Sequence, residues 1–423
     1  MSSALLVLVV APRPRRDQAT LPLVYQRAAP RPPRVRRPAV ARPSPGGDTA
    51  WGPVATPRHL SRWEDGDDMT TPAHSTRTIN LEGAARAAIA GGAPLALLIA
   101  LGMPGYAAFA MFAGFTAIFG ATEPYRQRAV TTGVAGALQA LCMCAGIGVG
   151  LVGSPLWLQA VGLVVVLVVA VCTLSTLRAI PAQPIFPVFA FVVSALVPMR
   201  PADVPLVTTI IVCSVVWAWL VAMSGAVLRR VLHPHAPHRF RPLADRKHRS
   251  LAVLRTPALW ETVALNVVGS LVAGAVAESI PGLGHPYWAV IAVVSTLPAI
   301  RQRHTVVRAG QRVVGTIGGT VIAVGILLLE PSAWWIVVLA VVGQFFAEIF
   351  VARNYAVCLL FLTPLALAVS WLSLPEAPQL LALDRIAQTV LGAVVSVGLL
   401  LVGRAIERRR GRALGATSAI RTV

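Results

Sequence analysis

The chain has 423 residues, of which 56% are hydrophobic and only 13% are charged. Soluble proteins of this length do not have such a composition, so these values predict a polytopic membrane protein. The net charge of +20 does not indicate a nucleic-acid partner, because the basic residues lie in gaps between apolar runs without interleaved aromatic residues.

The first 78 residues differ from the rest of the chain. Residues 1–78 are rich in Arg and Pro, and their longest apolar run extends only from Ala4 to Ala11. Basic residues follow that run, whereas in a secretory signal they precede it. This composition predicts a disordered segment. Met69 lies shortly before the first apolar helix, and we expect that residues 1–68 are a gene-model extension.

Apolar segments fill the chain from residue 83 onward, each close to the ~20 residues needed to cross a bilayer core. The twelve predicted segments are 83–101, 104–121, 129–152, 155–176, 183–199, 204–228, 258–279, 286–300, 310–329, 332–351, 355–373 and 385–404. The fifth and the eighth are the shortest. The predicted fold class is therefore an all-α polytopic membrane protein with about twelve transmembrane helices.

The charges in the gaps alternate from one side of the predicted bundle to the other. Gaps on one side are basic, and those on the other are nearly free of Arg and carry Glu278, Glu330 and Glu376. Basic residues concentrate on the cytoplasmic side of membrane proteins. This asymmetry predicts a multi-pass protein of the inner (plasma) membrane with both termini in the cytoplasm.

The apolar region also contains an internal repeat. Gly133 and Gly136 recur 182 residues later as Gly315 and Gly318. Six spans is an even number, so the two tandem six-helix repeats would share one orientation and be related by an axis along the membrane normal. The predicted parts are a first repeat at 79–228, a basic cytoplasmic linker at 229–257, a second repeat at 258–404 and a basic cytoplasmic tail at 405–423.

A short pattern opens two segments of the second repeat. Arg, Thr and Gly fall at i, i+4 and i+7, which is one face of an α-helix. The two copies are Arg312, Thr316, Gly319 and Arg385, Thr389, Gly392. A helix rarely places Arg on this face unless the face meets protein or water. The first repeat has Val130 and Val204 at the matching positions, so we expect the specialised site in the second repeat.

These motifs resemble the fusaric acid resistance and aromatic acid exporter superfamily, which is similar to the aluminium-activated malate transporters. The resemblance covers residues 255–405 well and 83–228 weakly. It is carried by His285-Pro-Tyr287-Trp288, Arg312-x-x-Gly315-Thr316, Arg353-Asn354-Tyr355, Phe361-Leu-Thr363-Pro364 and Arg385-x-x-x-Thr389. The resemblance implies a transporter that exports organic anions, often aromatic carboxylates, from the cytoplasm.

The arginines are the candidate substrate residues, because a guanidinium binds a carboxylate with two hydrogen bonds. The predicted path comprises Arg301, Arg303, Arg308, Arg312, Thr316, Arg385 and Thr389. Three alternatives remain open. Arg312 would reach lipid headgroups, Arg385 would pair with Asp384, and the basic residues at 301–308 would serve only as a topology signal.

Other residues have predicted roles in packing and coupling. Small residues let helices approach closely, and the glycines expected to do so are Gly133, Gly136, Gly315, Gly318, Gly319 and Gly392. Glu348 is a candidate proton-coupling carboxylate, with an ion pair near the interface as the alternative. An aromatic belt at the outer surface is predicted from Tyr287, Trp288, Trp334, Trp335 and Trp371, with a site for an aromatic substrate as the alternative.

The sequence contains no nucleophile–base set, phosphate-binding loop, dinucleotide fingerprint or metal-ligand motif, so we expect no enzyme activity, cofactor or metal. The expected partners are a small organic anion and the lipid bilayer. The sequence does not define the oligomeric state, and it is compatible with a homo-oligomer. Two alternatives to an exporter remain, a passive anion channel and a non-transporting membrane protein that organises the envelope.

Overall fold

The computed structural model describes residues 81–232, 249–297, 305–373 and 376–420. For residues 228–230, 232, 305 and 406–420 it describes the backbone only. The predictions for residues 1–78, for most of the linker, and for Arg301 and Arg303 lie outside these described residues.

Every regular element in the described part of the chain is helical, which confirms the predicted all-α class. The helices are α1 (Leu81–Ala100), α2 (Ala107–Gly114), α3 (Tyr125–Leu151), α4 (Leu156–Leu177), α5 (Ile185–Leu196), α6 (Val204–Leu232), α7 (Pro257–Glu278), α8 (Tyr287–Thr296), α9 (Thr305–Leu327), α10 (Ala333–Phe350), α11 (Tyr355–Ser373) and α12 (Pro378–Ile420). Short 3-10 turns extend α2 to Pro104–Ile118.

Nine of the helices in the described ranges are long and apolar enough to cross a membrane, which confirms a multi-pass membrane protein. The other three, α2 with its flanking turns, α5 and α8, have 10–17 residues. At 1.5 Å per residue these reach roughly 15 to 25 Å, less than the ~30 Å of a bilayer core. The exact number of twelve spans therefore stays a prediction.

The short helices lie in the interior of the bundle. All eight residues of α2 and all ten residues of α8 are buried. Both helices are apolar on every side, which is typical of a helix enclosed by other helices. The long helices differ, because they expose apolar side chains such as Leu141 of α3 and Val314 of α9. Interrupted helices are tolerated at membrane depth when protein surrounds them, and this position satisfies that condition.

Proline defines where several helices begin. Pro257 and Pro378 are the first residues of α7 and α12, and Pro286 directly precedes α8. The first turn of a helix has no internal partner for its N–H groups, so the missing N–H of proline costs nothing there. The start of α8 and the start of α12 therefore occupy defined positions, which matters because both contribute to the site below.

The packing pairs of the first six helices recur in the second six. Helix α3 packs against α5 and α6, and α9 packs against α11 and α12. Helix α6 also contacts α2, as α12 contacts α8. Across the halves, α1 packs against α10 and α7 packs against α4, while α2 contacts α11 and α5 contacts α8. The four helices α2, α5, α8 and α11 thus meet at the junction of the two halves.

Glycines occupy the closest helix contacts in the second half. A Cβ on Gly315 of α9 would collide with the backbone of Ala356 on α11, and one on Gly319 would collide with the carbonyl of Leu359. Gly392 of α12 meets the Ala289 carbonyl of α8 in the same way. In the first half, Gly136 lies against Val215 and Thr116, whereas Gly133 is less crowded.

We expect Gly315→Ala to lower the melting temperature of the detergent-solubilised protein, at a cost of about 1–3 kcal/mol. The added methyl group would force α9 away from the Ala356 backbone, which cannot move as a side chain can. Gly310→Ala is the matched control, because nothing lies within 4 Å of its Cβ position on the same helix. Equal melting temperatures for the two variants would contradict the close packing of α9 on α11.

Candidate functional site

A cavity of about 50 Å³ lies where the central helices meet. This is room for a few water molecules, since one water needs roughly 10–15 Å³ measured in this way. Its lining comes from both halves of the chain: Met111, Phe112, Phe115, Ile185, Phe186, Phe189, Ile291, Arg312, Leu359, Leu362, Leu365, Ala366, Val369 and Arg385. The only charged side chains among these residues are the two arginines at the start of the repeated Arg–Thr–Gly pattern.

Arg312 is held in place by a tyrosine. Its guanidinium Nη1 donates to the Tyr355 hydroxyl at 2.8 Å, while its Nε has no hydrogen-bond partner among the described residues. Arg308, one turn earlier on α9, stacks over the Tyr355 ring at 4.3 Å and donates to the carbonyl of Ser295 at 2.9 Å. Tyr355 therefore separates the two guanidiniums and positions Arg312 towards the cavity.

Arg385 is positioned by an aromatic ring. The guanidinium lies 3.6 Å from the centre of the buried Trp288 ring, a cation–π contact. Its Nε and Nη1 atoms are buried and have no hydrogen-bond partner among the described residues. Asp384, the alternative partner raised by the sequence, instead accepts hydrogen bonds from the backbone N–H of Gly284 and contacts His285. The charge of Arg385 is thus uncompensated by a hydrogen-bonded carboxylate.

The opposite wall of the cavity is aromatic. Phe112 and Phe115 come from the α2 segment, and Phe186 and Phe189 come from α5. The rings contact one another, with centroids 4.5 Å apart for Phe112 and Phe189 and 4.9 Å apart for Phe115 and Phe186. Phe189 also contacts Trp288 at 5.2 Å, edge to face. A continuous aromatic surface therefore lines the cavity together with two guanidiniums.

The two arginines approach the cavity from opposite ends of the bundle. Arg312 follows the start of α9 by seven residues, and Arg385 follows the start of α12 by seven residues. Seven residues of helix rise correspond to about 10 Å. The hydrogen bond from Arg308 to Ser295 places the start of α9 at the end of α8, whereas α8 and α12 begin at the other end. Both arginines therefore reach the middle of the bundle.

Several hydroxyl and amide groups near these arginines are buried without partners. The hydroxyls of Thr316 and Thr389, one turn beyond Arg312 and Arg385, have no hydrogen-bond partner in the described part of the chain. The same holds for the Gln388 amide and for the hydroxyls of Thr320 and Thr363. Buried polar groups are usually paired, and exceptions mark functional positions or sites for water. These groups lie on α9, α11 and α12, which pack together.

Other predicted residues lie apart from the cavity. Glu348 is half-buried near the end of α10, which packs against α1. The predicted aromatic belt is wrong for two of its members: Trp288 is fully buried and Tyr287 is 9% exposed, because α8 is enclosed by other helices. Trp334 and Trp335 are exposed, as a belt requires.

Sequence reasoning missed the aromatic wall, because the four phenylalanines belong to the first half and have no periodic relation to the Arg–Thr–Gly pattern. It also missed the roles of Tyr355 and Trp288, although both occur in the motifs that carried the resemblance. Both aromatic residues stand in short motifs that also contain Pro, Asn or Arg, and this position marked the motifs as unusual. The motifs did not indicate which side chains Tyr355 and Trp288 would contact.

The first half contains a buried arginine of a different kind. Arg128 of α3 is fully buried, and it donates to the carbonyls of Gly120, Ala121 and Ala222 at 3.0, 2.7 and 3.4 Å. Nearby, Glu123 accepts a hydrogen bond from Thr131 at 2.6 Å. Arg128 therefore binds the protein's own backbone, while Arg385 does not.

The second half is similar in sequence to a known family. Residues 261–399 match the family model described as fusaric acid resistance protein-like. This fusaric acid resistance-like domain extends from α7 into α12 and covers about a third of the chain. It contains both cavity arginines but none of the four phenylalanines. No curated protein and no solved structure matches the chain. Together with the apolar helices, the family match indicates a membrane transporter.

The different surroundings of the two arginines predict different effects on stability. Arg128→Met would leave three carbonyls without their donor, so we expect a marked drop in the melting temperature, equivalent to about 2–5 kcal/mol. Arg385→Met removes a buried charge that has no hydrogen-bonded acceptor, so we expect an unchanged or higher melting temperature. Thermal unfolding in detergent compares the two. If Arg385→Met melts as early as Arg128→Met, Arg385 is a structural residue.

Proposed function

We propose that the protein exports organic anions from the cytoplasm and that aromatic carboxylates are its preferred substrates. The observation that carries this proposal is the cavity in which Arg312 and Arg385 face four phenylalanine rings. An aromatic carboxylate has a charged end and an apolar end, and each end has a matching wall here.

The charged end is favoured by electrostatics. A buried arginine without an acceptor destabilises a protein by several kcal/mol relative to a paired one. A carboxylate placed between Arg312 and Arg385 would supply two acceptor oxygens to Nε of Arg312 and to Nε and Nη1 of Arg385, which have no partner among the described residues. Binding would therefore form the hydrogen bonds that these buried guanidinium atoms do not make in the protein alone. A neutral substrate could not do so, which favours the anion.

The apolar end is favoured by the rings. Aromatic pairs with offset or edge-to-face geometry gain about 0.5–1.5 kcal/mol beyond the burial of their area. Phe112, Phe115, Phe186 and Phe189 already contact one another in such tilted arrangements. The cavity of about 50 Å³ is smaller than a benzene ring. Admission of a substrate ring therefore requires α2 and α5 to move relative to α8 and α11.

We infer that this movement is a rocking of two tandem six-helix repeats. Most packing pairs of the first six helices have a counterpart six helices later in the chain, which is the pattern that a repeat produces. The cavity lies at the junction of the halves, where transporters built from repeats hold their substrates. Such rocking would expose the cavity alternately to the two ends of the bundle.

The direction of transport is proposed from the distribution of charge. The basic gaps, including the one before α9, would face the cytoplasm of a cell with this protein in its inner membrane. Arg308 at the start of α9, with Arg301 and Arg303 before it, would attract anions to that end. The substrate would pass from Arg312 to Arg385, past the faces that carry Thr316 and Thr389, and leave at the end where α12 begins.

We expect proteoliposomes containing the full chain to transport labelled benzoate, and Arg312→Ala and Arg385→Ala each to lower the flux at least about tenfold, because each substitution removes one side of the carboxylate site. Arg126→Ala is the matched control, since this arginine is exposed and lies outside the cavity. We expect its flux to equal that of the parent protein.

The same measurement separates the alternatives when it is repeated with and without a proton gradient. Dependence on the gradient indicates a coupled exporter, and independence indicates a passive channel. If a correctly folded protein transports neither aromatic nor aliphatic carboxylates, or if both arginine variants retain full flux, the anion route is wrong. The non-transporting envelope protein would then be the better interpretation.

The aromatic wall predicts selectivity. We expect Phe189→Ala to lower benzoate flux about fivefold while leaving flux of acetate within twofold, since acetate has no ring to contact the wall. Phe346→Ala is the control, because this phenylalanine lies on α10, partly exposed and outside the cavity. Initial rates at several substrate concentrations provide the comparison. Equal losses for benzoate and acetate would show that Phe189 only supports the fold.

A further inference from the structure

We propose that His285 binds a proton whose uptake is thermodynamically linked to anion binding at Arg385. This inference rests on the proposed anion site, to which it adds a second ligand. The residues that carry it are His285, Asp384 and Glu376, which come from the segment before α8, from α12, and from the segment before α12.

His285 stands between two carboxylates of unequal exposure. Its Nδ1 lies 2.5 Å from Oδ2 of Asp384, whose side chain is 6% exposed. Its Nε2 lies 3.6 Å from Oε1 of Glu376, whose side chain is 43% exposed. The histidine side chain itself is 16% exposed. A proton from the solvent can therefore reach Nε2 beside Glu376, while Asp384 on the other side is shielded from water.

In the proposed arrangement Asp384 is ionised and His285 supplies the hydrogen of the contact between them. Both oxygens of Asp384 accept from the backbone N–H of Gly284, at 3.0 and 2.9 Å, as an ionised carboxylate does. An ionised carboxylate can only accept, so Nδ1 of His285 carries the hydrogen of the bond to Asp384. The Nε2 atom of the neutral ring is then free to bind one further proton. Uptake of that proton breaks no bond and changes the charge of the ring from zero to +1.

The change in charge occurs beside the anion site. Asp384 and Arg385 are adjacent on α12, and the Arg385 guanidinium lies over Trp288, three residues after His285. With neutral His285, the charge of Asp384 opposes an anion at Arg385. A protonated His285 neutralises that charge, so it strengthens anion binding. By thermodynamic reciprocity, a bound anion also favours proton uptake at His285.

Among the described residues, few titratable groups face His285. The groups that face His285 are Asp384 of α12, Glu376 before α12, and the Tyr287 ring of α8, which meets the imidazole edge to face at 5.6 Å. Arg385 contacts Trp288. Histidine is the side chain that ordinarily changes its charge between about pH 5 and about pH 8.

The functional consequence concerns release of the substrate. His285 and the start of α12 lie at the end of the bundle where the proposed path leaves the protein. Anion affinity at Arg385 would fall as the pH at that end rises, because the ring then loses its proton. Each cycle of binding and release would take up and return a proton at His285, which would connect transport to the pH of the outer medium.

The test is benzoate binding to the detergent-solubilised full chain between about pH 6 and about pH 8, where the carboxylate of benzoate itself remains ionised. We expect the affinity of the parent protein to fall about tenfold over this range. In weakly buffered solution near neutral pH, addition of benzoate should also cause proton uptake that a pH-sensitive dye records. His285→Gln should bind benzoate with an affinity independent of pH and without proton uptake.

Two further variants separate the linkage from a purely structural role. Glu376→Gln leaves the fold undisturbed, because the side chain is largely exposed, and it should move the midpoint of the pH dependence to lower pH by removing a carboxylate that favours the protonated ring. Glu278→Gln, an exposed carboxylate at the end of α7, should behave as the parent does.

The outcomes distinguish the two proposals. Benzoate binding that requires Arg385 but has the same affinity at both pH values, or a pH dependence that persists in His285→Gln, overturns the linkage and leaves the anion site standing. An absence of benzoate binding at every pH overturns the anion site and the linkage with it.

Discussion

The candidate site depends on two guanidinium groups that are buried at the centre of an apolar bundle without sufficient acceptors. Arg312 has one tyrosine hydroxyl and Arg385 has the face of a tryptophan. Burial of a charge is unfavourable unless hydrogen bonds compensate for its lost hydration. The protein tolerates this arrangement because twelve helices pack around it, and the uncompensated charge is what makes an anion a favourable ligand there.

The fold supports these arginines through a division between short and long helices. The long helices expose apolar faces of the kind that suits lipid, while α2 and α8 are buried along their whole length. Interrupted helices leave backbone groups inside the membrane that only protein or water can satisfy. Placing them at the junction of the two halves keeps them away from lipid and puts Phe112, Phe189 and Trp288 beside the cavity.

The two halves use a buried arginine in opposite ways. Arg128 of the first half donates to three backbone carbonyls, and its contribution is to fix the segment that follows α2 against α3 and α6. The arginines of the second half remain available to a ligand. The phenylalanines of the first half and the two arginines of the second half line the same cavity.

The sequence by itself determined the class of protein and the approximate positions of the helices, and it singled out Arg312 and Arg385 as candidate residues, because hydrophobic run length and helical spacing are local properties. It could not determine that α2, α5 and α8 are enclosed, or that Trp288 is covered by Arg385 instead of facing lipid. Nor could it determine that phenylalanines of the first half line the same cavity as the two arginines. Those contacts join distant segments, and only the packing of the helices decides which of their faces meet.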